Sequence, residues 1–425
     1  MKRILGRVRD YRWGSEDVIP HFFGLRSVQK PIAEVWFGAH PAAPSPICAQ
    51  PGAQIAKELA VCESRLKNDR DPEDCPAGAP FSLRDYIAAD PQAVLGSYAV
   101  SQFGGRLPFL LKLIAPRKPL SLQVHPTAEQ ALAGYAREND LGIPKDSPYR
   151  TYRDRNHKPE LVYALSRFEG LVGFRSPRRI LGVLEDLDTA VAKKLIRIIS
   201  RTPGHRGVQA AFNYLLSEET RPGEEQIAEL IFACAARDPR ISPSPRADAI
   251  VTRLARYYPE DPGVICSLLL NPVTLDPGEA LFIPVGTIHA YLSGFGVEVM
   301  ANSDNVLRAG LTQKHMDLPE LINVADTVAA PPIRIAPEKM SAVQKTFYAP
   351  VDDFELSVVQ IAPGDGVCGL RGCGPRILLG LEGELGFACS GGRFELRKGQ
   401  AVFLGTDDGA AEVGGFGICA QVGVP

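Results

Sequence analysis

The apolar residues of this chain change period once, and that change divides it. From Ser176 onward Val183, Leu184, Leu187, Val191, Leu195 and Ile198 recur at three- and four-residue steps. The same spacing returns from Gly207 through Ala211, Leu215 and Leu216, after Pro222 through Ile227, Leu230, Ile231 and Cys234, and along Ile250, Leu254 and Tyr257. This is the stripe of an amphipathic helix, and it predicts four helices over 176–260. On either side the pattern is that of strands. Leu107-Pro-Phe-Leu-Leu-Lys-Leu-Ile114 is apolar throughout except at Lys112, as expected of a strand covered on both faces. Residues 33–38 read as another strand, β structure resumes at Gly263, and the last ninety or so residues are strands broken by glycine turns. The chain therefore reads as mainly β with an inserted all-α module. One β domain comprises 1–175 and 261–330, the helical domain is 176–260, and a C-terminal β domain is 331–425.

A chain of 425 residues, 45% hydrophobic and 23% charged, can bury a sizeable core. Its net charge of −2, without a basic block, argues against a nucleic-acid partner. No run approaches the roughly 18 apolar residues of a membrane span, and the opening Met-Lys-Arg-Ile-Leu-Gly-Arg lacks an apolar targeting segment. Nine scattered cysteines then favour reduced thiols and a cytoplasmic location. Cys368 and Cys373, close together in a glycine-rich loop, are too few to make a metal site.

Local signals place three short helices before the helical module. Ser82 and Asp85 open one, Asp90-Pro91 another, and Thr127 with Gln130 forms a capping box for a third reaching about Glu138. The acidic, proline-bearing stretch 69–80 reads as a surface insertion, and His205 as a surface or capping histidine. Leu396-Arg-Lys-Gly399-Gln-Ala401-Val-Phe403 repeats Leu275-Asp-Pro-Gly278-Glu-Ala280-Leu-Phe282 in register. The first copy continues to Pro284, Gly286 and His289, while the second reaches Gly405 and has no histidine. Two related β units are expected, one with chemistry and one without.

The chemistry gathers in three places. In Leu120-Ser-Leu-Gln123-Val-His125-Pro126 the alternation predicts a strand whose Gln123 and His125 project from one side. His157-Lys158-Pro159-Glu160 precedes an apolar run, and His289 closes a turn. Either histidine alone would read as an ordinary core or surface residue. Gln123, His125, Glu160 and His289 together supply two imidazoles, a carboxylate and an amide oxygen, a set suited to zinc.

The turn from Gly278 to Ser293 resembles the second motif of the cupin β-barrels, glycine, five residues, proline, one, glycine, two, histidine, three, asparagine. Here Ser293 stands in the last place. The whole pattern resembles the type I phosphomannose isomerases, also called mannose-6-phosphate isomerases. Its specific signature is Leu120 to Pro126, His157-Lys158-Pro159-Glu160 and Ala301-Asn-Ser-Asp-Asn-Val-Leu-Arg308-Ala-Gly310-Leu-Thr-Gln-Lys314, with Gln313 where the family carries proline. The resemblance implies jelly-roll barrels, the C-terminal one without metal ligands. It also implies one zinc ion on Gln123, His125, Glu160 and His289, and interconversion of mannose 6-phosphate and fructose 6-phosphate through an enediolate. Such enzymes link glycolysis to sugar-nucleotide synthesis, and a monomer acting on a phosphosugar is expected.

Further roles follow from charge. Arg308 is the leading contact for the phosphate or the reacting oxygens, followed by Lys314 and Lys158, the latter also able to act as an acid or base. Asp304 or Glu298 is expected to move the proton, with Asp304 alternatively orienting Arg308 or forming an Asx turn. His157 could protonate a ring oxygen. Arg153, Asp154 and Arg155 read as solvent-facing by default. The rival readings are another cupin metalloenzyme, such as an iron dioxygenase, and a sugar-phosphate-binding or regulatory cupin with a structural metal.

Overall fold

The computed structural model describes residues 1–48 and 81–425, so the predicted 69–80 insertion lies outside the described residues. The strands form three antiparallel sheets. A seven-stranded sheet runs in the order Ile333–Ile335, Ala280–Ile283, Glu160–Ala164, Gly296–Ala301, Phe109–Ile114, Glu34–Gly38 and Arg7–Arg9. A five-stranded sheet runs Leu307–Arg308, Gln123–Val124, His289–Ser293, Phe168–Phe174 and Leu270–Leu275. One apolar core is shared between them. Ile114, Val162, Leu281 and Ile283 of the first pack with Phe168, Val172, Val273 and Tyr291 of the second. Alternation then puts the other side of each strand outward, and those outer faces are covered too.

Outside the five-stranded sheet lie the helices. Leu171, Ala290 and Leu292 share a core with Ile180, Leu195, Phe212, Leu230 and Leu254. The structure has five helices between residues 177 and 255 rather than the four the spacing predicts: Pro177–Leu184, Ala190–Arg201, His205–Leu216, Glu224–Ala236 and Pro245–Ala255. The first predicted helix is split because Thr189 takes an extended conformation and caps the next segment, its hydroxyl accepting from Ala192 N at 3.2 Å. His205 is exposed at a helix start. The capping boxes at Ser82 and Thr127 are formed, and Asp90 caps Pro91–Phe103. Among the described residues no helix is long and apolar enough to cross a membrane.

Outside the seven-stranded sheet lies the third, ten-stranded sheet, built mainly from residues after 338. Val35, Phe37, Leu111, Leu113, Val297 and Val299 pack with Leu356, Ile377, Leu379, Phe403 and Val422. The strand Phe109–Ile114 is accordingly buried at every position. The strand Lys2–Ile4 belongs to this distant sheet, where Lys2 pairs with Phe403 and Ile4 with Ala401.

The internal echo has a structural counterpart. Gly278 and Gly399 both sit at positive φ, +92° and +80°, where glycine alone is at ease. In the first copy Glu279 accepts from Asp276 N at 2.8 Å, and in the second Gln400 accepts from Arg397 N at 3.0 Å. Gly278 N donates to Ala164 O while Ala164 N donates to Glu279 O, and Gly399, Gly380 and Gln400 repeat that exchange. Cys368 and Cys373 are free thiols.

Candidate metal centre

The strand around Gln123 is shorter than the alternation predicts, with ladder pairing only at Gln123–Val124. Its neighbours are held singly, Leu120 N on Tyr291 O at 2.9 Å and Leu122 N on Gly310 O at 3.0 Å. That short strand is flanked by two others. Gln123 lies directly opposite His289 on one side and Arg308 on the other. Directly opposed residues share a face, so these three side chains stand in one row. His125 follows two residues later, and Glu160 opens a strand of the facing sheet.

The ligand atoms of His125, Glu160 and His289, all buried, lie within 4.8 Å of one another. His125 Nε2 is 3.2 Å from Glu160 Oε1, His289 Nε2 is 3.2 Å from Glu160 Oε2, and Gln123 Nε2 is 3.2 Å from His289 Nε2. Each imidazole is oriented from behind. His125 Nδ1 donates to Asn305 O at 2.8 Å and His289 Nδ1 to Thr287 O at 3.0 Å. A carbonyl only accepts, so in the neutral rings both protons sit on Nδ1 and both Nε2 lone pairs face the carboxylate. His125 stays neutral at physiological pH, because burial first and Lys158 second bring its pKa down to about 4. Lone pairs thus meet lone pairs, and His125 Nε2 and Glu160 Oε2 have no hydrogen-bond partner. Two imidazole lone pairs converging on a buried carboxylate, with His125 Nε2 and Glu160 Oε2 unpartnered, fit a cation. The Gln123 amide presents Oε1 to the same point when turned by half a rotation, since its N and O are interchangeable in outline.

Lys158 Nζ lies 3.2 Å from Glu160 Oε1. Burial alone would raise the Glu160 carboxyl, but Lys158 and His125 hold it well below the usual carboxylate range. Elsewhere in the seven-stranded sheet, Lys112 Nζ is 2.9 Å from Glu298 and 3.9 Å from Glu34, which accepts from Trp36 Nε1 at 2.6 Å. Glu298 is therefore buried as the partner of Lys112, its carboxyl raised by burial against the pull of that lysine.

Arg308, in the row with Gln123 and His289, adds charge to this centre, as does Lys314 beyond it. Burial and then Arg153 depress the Arg308 pKa, while burial, Arg308 and Arg153 depress that of Lys314. These are cations that feel one another, and none of the three has a carboxylate partner among the described residues. A cleft of about 980 Å³ is lined by His40, Arg153, Asp154, His157, Pro284 and Asp304, among others. Asp304 Oδ1 is 3.4 Å from His40 Nε2, and His157 Nε2 is 2.8 Å from Asp353 Oδ2. The structure thus brings Gln123, His125, Glu160, His289, Lys158 and Arg308 into one neighbourhood. It sets Glu298 beneath them, and places Asp304 and His157 on the cleft. Arg153, solvent-facing by default in the sequence, lines the cleft as well. The sequence also leaves Glu34, His40, Lys112 and Asn305 unassigned. Lys112, a charge in an apolar strand, is the one among them with a local signal.

A family model described as "Phosphomannose isomerase type I, catalytic domain" matches residues 61–177. Over 425 residues the chain is 36% identical to the mannose-6-phosphate isomerase of Salmonella typhimurium and 35% identical to that of Escherichia coli, covering 99% of both sequences in each case. Among solved structures it resembles a mannose 6-phosphate isomerase bound with zinc and yttrium, with a TM-score of 0.83 and 33% identity over 100% of this chain and 99% of that one. Likeness of this extent leaves no large part of the chain unaccounted for: it belongs to the mannose-6-phosphate isomerase family.

Proposed function

We propose that this chain is a zinc-dependent isomerase that interconverts D-mannose 6-phosphate and D-fructose 6-phosphate. The observation that carries the reading is the convergence of two imidazole lone pairs on a buried carboxylate, beside Arg308 and Lys314, which have no carboxylate partner among the described residues. Gln123, His125, Glu160 and His289 would hold the zinc, which when bound supplies Lewis-acid charge beside the substrate oxygens.

The other residues bind, orient and move protons. Arg308 and Lys314 are suited to a sugar phosphate, close to a dianion at neutral pH, since half-buried cations lacking an anion gain most from one. We assign proton transfer between C1 and C2 to Asp304 ahead of Glu298. Its carboxylate faces the cleft, and its backbone N–H is fixed by Asp154 Oδ2 at 2.7 Å, whereas Glu298 is engaged with Lys112. Lys158, buried against Glu160, is placed to exchange a proton with a substrate oxygen. His157, oriented by Asp353, is assigned the ring oxygen during opening. Both the enediolate and its protons are thereby handled in a site of low dielectric.

We further read residues 176–260 as an inserted all-α unit and 331–425 as a second, cupin-like barrel without metal ligands. The common core of the helices, which they share with the five-stranded sheet, and the repeated turn support these readings, with the strand Ile333–Ile335 belonging instead to the seven-stranded sheet. A cytoplasmic monomer that engages neither nucleic acid nor membrane accords with the near-neutral charge.

The test is turnover of mannose 6-phosphate in deuterated water by the purified protein, by metal-stripped protein, and after zinc is restored. Fructose 6-phosphate that disappears on stripping and returns with zinc supports the reading, and deuterium at C2 of recovered mannose 6-phosphate adds solvent exchange. A folded, zinc-loaded protein that binds phosphosugar without turnover would overturn it in favour of a binding cupin.

A further inference from the structure

We propose that Asn305 is a positioning residue that locks the metal ligand His125 and the cleft loop 153–156 into one rigid unit. The inference rests on the isomerase reading for its kinetic arm and on geometry alone for its metal arm. Asn305 is wholly excluded from solvent. Its side-chain oxygen accepts from Arg153 N at 2.7 Å and Asp154 N at 3.1 Å. Its side-chain nitrogen donates to Asp154 O at 2.9 Å, Asp154 Oδ1 at 3.3 Å and Asn156 O at 2.9 Å. Its own carbonyl takes the Nδ1 proton of His125 at 2.8 Å. One residue therefore holds, on one side, the ring whose Nε2 faces Glu160. On the other it holds the loop that carries Arg153 and leads into Lys158 and Glu160.

The adjoining contacts tighten the same knot. Ser303 Oγ donates to Asp154 Oδ1 at 2.9 Å, and Asp304 N donates to Asp154 Oδ2 at 2.7 Å. Asp304 and Arg153 both line the cleft. Any displacement of Asn305 would move the imidazole, the loop cation and the cleft carboxylate together. Aspartate cannot replace it, since a carboxylate keeps the two acceptor roles, loses every donor and faces the carboxylate of Asp154.

The experiment compares wild type, Asn305→Asp, Arg153→Gln and the double variant. Zinc affinity is measured by competition with a chromophoric chelator, and KM and kcat with mannose 6-phosphate. Asn305→Asp should weaken zinc by about tenfold or more, the range for partners that orient ligands, and raise KM. Arg153→Gln should raise KM alone, and adding it to Asn305→Asp should raise KM no further, because the loop is already released. Wild-type zinc affinity and KM in Asn305→Asp would overturn the proposal, as would KM effects that simply multiply in the double variant. Should Asn305→Asp fail to fold, Asp154→Asn loosens the same clamp, and it must shift zinc affinity and KM in the same directions or the proposal fails. If wild type itself shows no turnover, the isomerase reading falls while the zinc measurements still decide the role of Asn305.

Discussion

Lys112 keeps its charge inside a buried sheet because carboxylates meet it across the strands. It pairs in register with Trp36 on one neighbour and Glu298 on the other. Burial would lower its pKa, but Glu298, Glu34 and Glu160 together push it above the usual lysine range. Lys112→Met should therefore leave buried carboxylates uncompensated and destabilise the fold by about 3–5 kcal/mol at pH 7. Urea denaturation would show this, with much of the loss recovered in Lys112→Met/Glu298→Gln. His40 gives the opposite case. Burial first, with Lys112, Lys158 and Arg9 adding and Asp304 opposing, lowers its pKa from 6.5 to about 4. Below pH 6.5 the unfolded chain binds a proton that the folded chain refuses, so stability falls as pH drops from 6.5 towards 4, by at most about 1.4 kcal/mol per pH unit. His40→Gln should flatten that part of a stability–pH curve, and an unchanged slope would contradict it. Gln123, His125, Glu160 and His289, which the structure brings together, were legible in the sequence because such residue types stand at characteristic spacings within short segments. Glu34 and Lys112 were not, since only the register of three strands distant in sequence brings them together. Asn305 was hidden for another reason: its side chain bonds to residues 153–156, far away in sequence, and the carbonyl it offers His125 is a group any residue possesses.

At the scale of elements, the period of the apolar residues located the helical stretch but not its first break. A single cap at Thr189 outweighs a stripe that continues across the interruption from Leu187 to Val191. The strand at Gln123 was overextended in the reading for a similar cause, alternation persisting where ladder bonds do not. The helices are joined to the site sheet through apolar contact. Phe212 meets Phe174 edge-on, ring centroids 5.2 Å apart, and Phe174 ends the strand whose Val172 pairs with His289. Phe212→Ala should lower stability by about 3–5 kcal/mol through the cavity it leaves, seen as a reduced denaturation midpoint with an unchanged slope. A loss under about 1 kcal/mol would mean the helices collapse into the gap and hold the sheet more loosely than the packing indicates.

For the molecule as a whole, the apolar core behind the seven-stranded sheet is shared with the ten-stranded sheet and with helices such as Leu83–Ala89 and Pro91–Phe103. A fragment ending at residue 335 would present Val35, Phe37, Leu111, Leu113, Val297 and Val299 to water, a patch of the kind that drives association. Such a fragment should aggregate in light scattering even with zinc, and a monodisperse, folded fragment would refute that. The internal echo hinted at the second sheet, but nothing local said that the two would share a core.

The pairing of Lys2–Ile4 with Ala401–Leu404 bears on how the protein is made. The short strand must wait for the roughly four hundred residues that separate it from its neighbour before the two can pair. At the usual pace of synthesis that wait is roughly 20–80 s, long compared with the formation of hairpins and helices. The two sheets of the candidate metal centre and their helical cover can therefore assemble while the two parts of the ten-stranded sheet are still apart. Closure of that sheet would then follow both, a latch thrown only once residues 401–404 have been made.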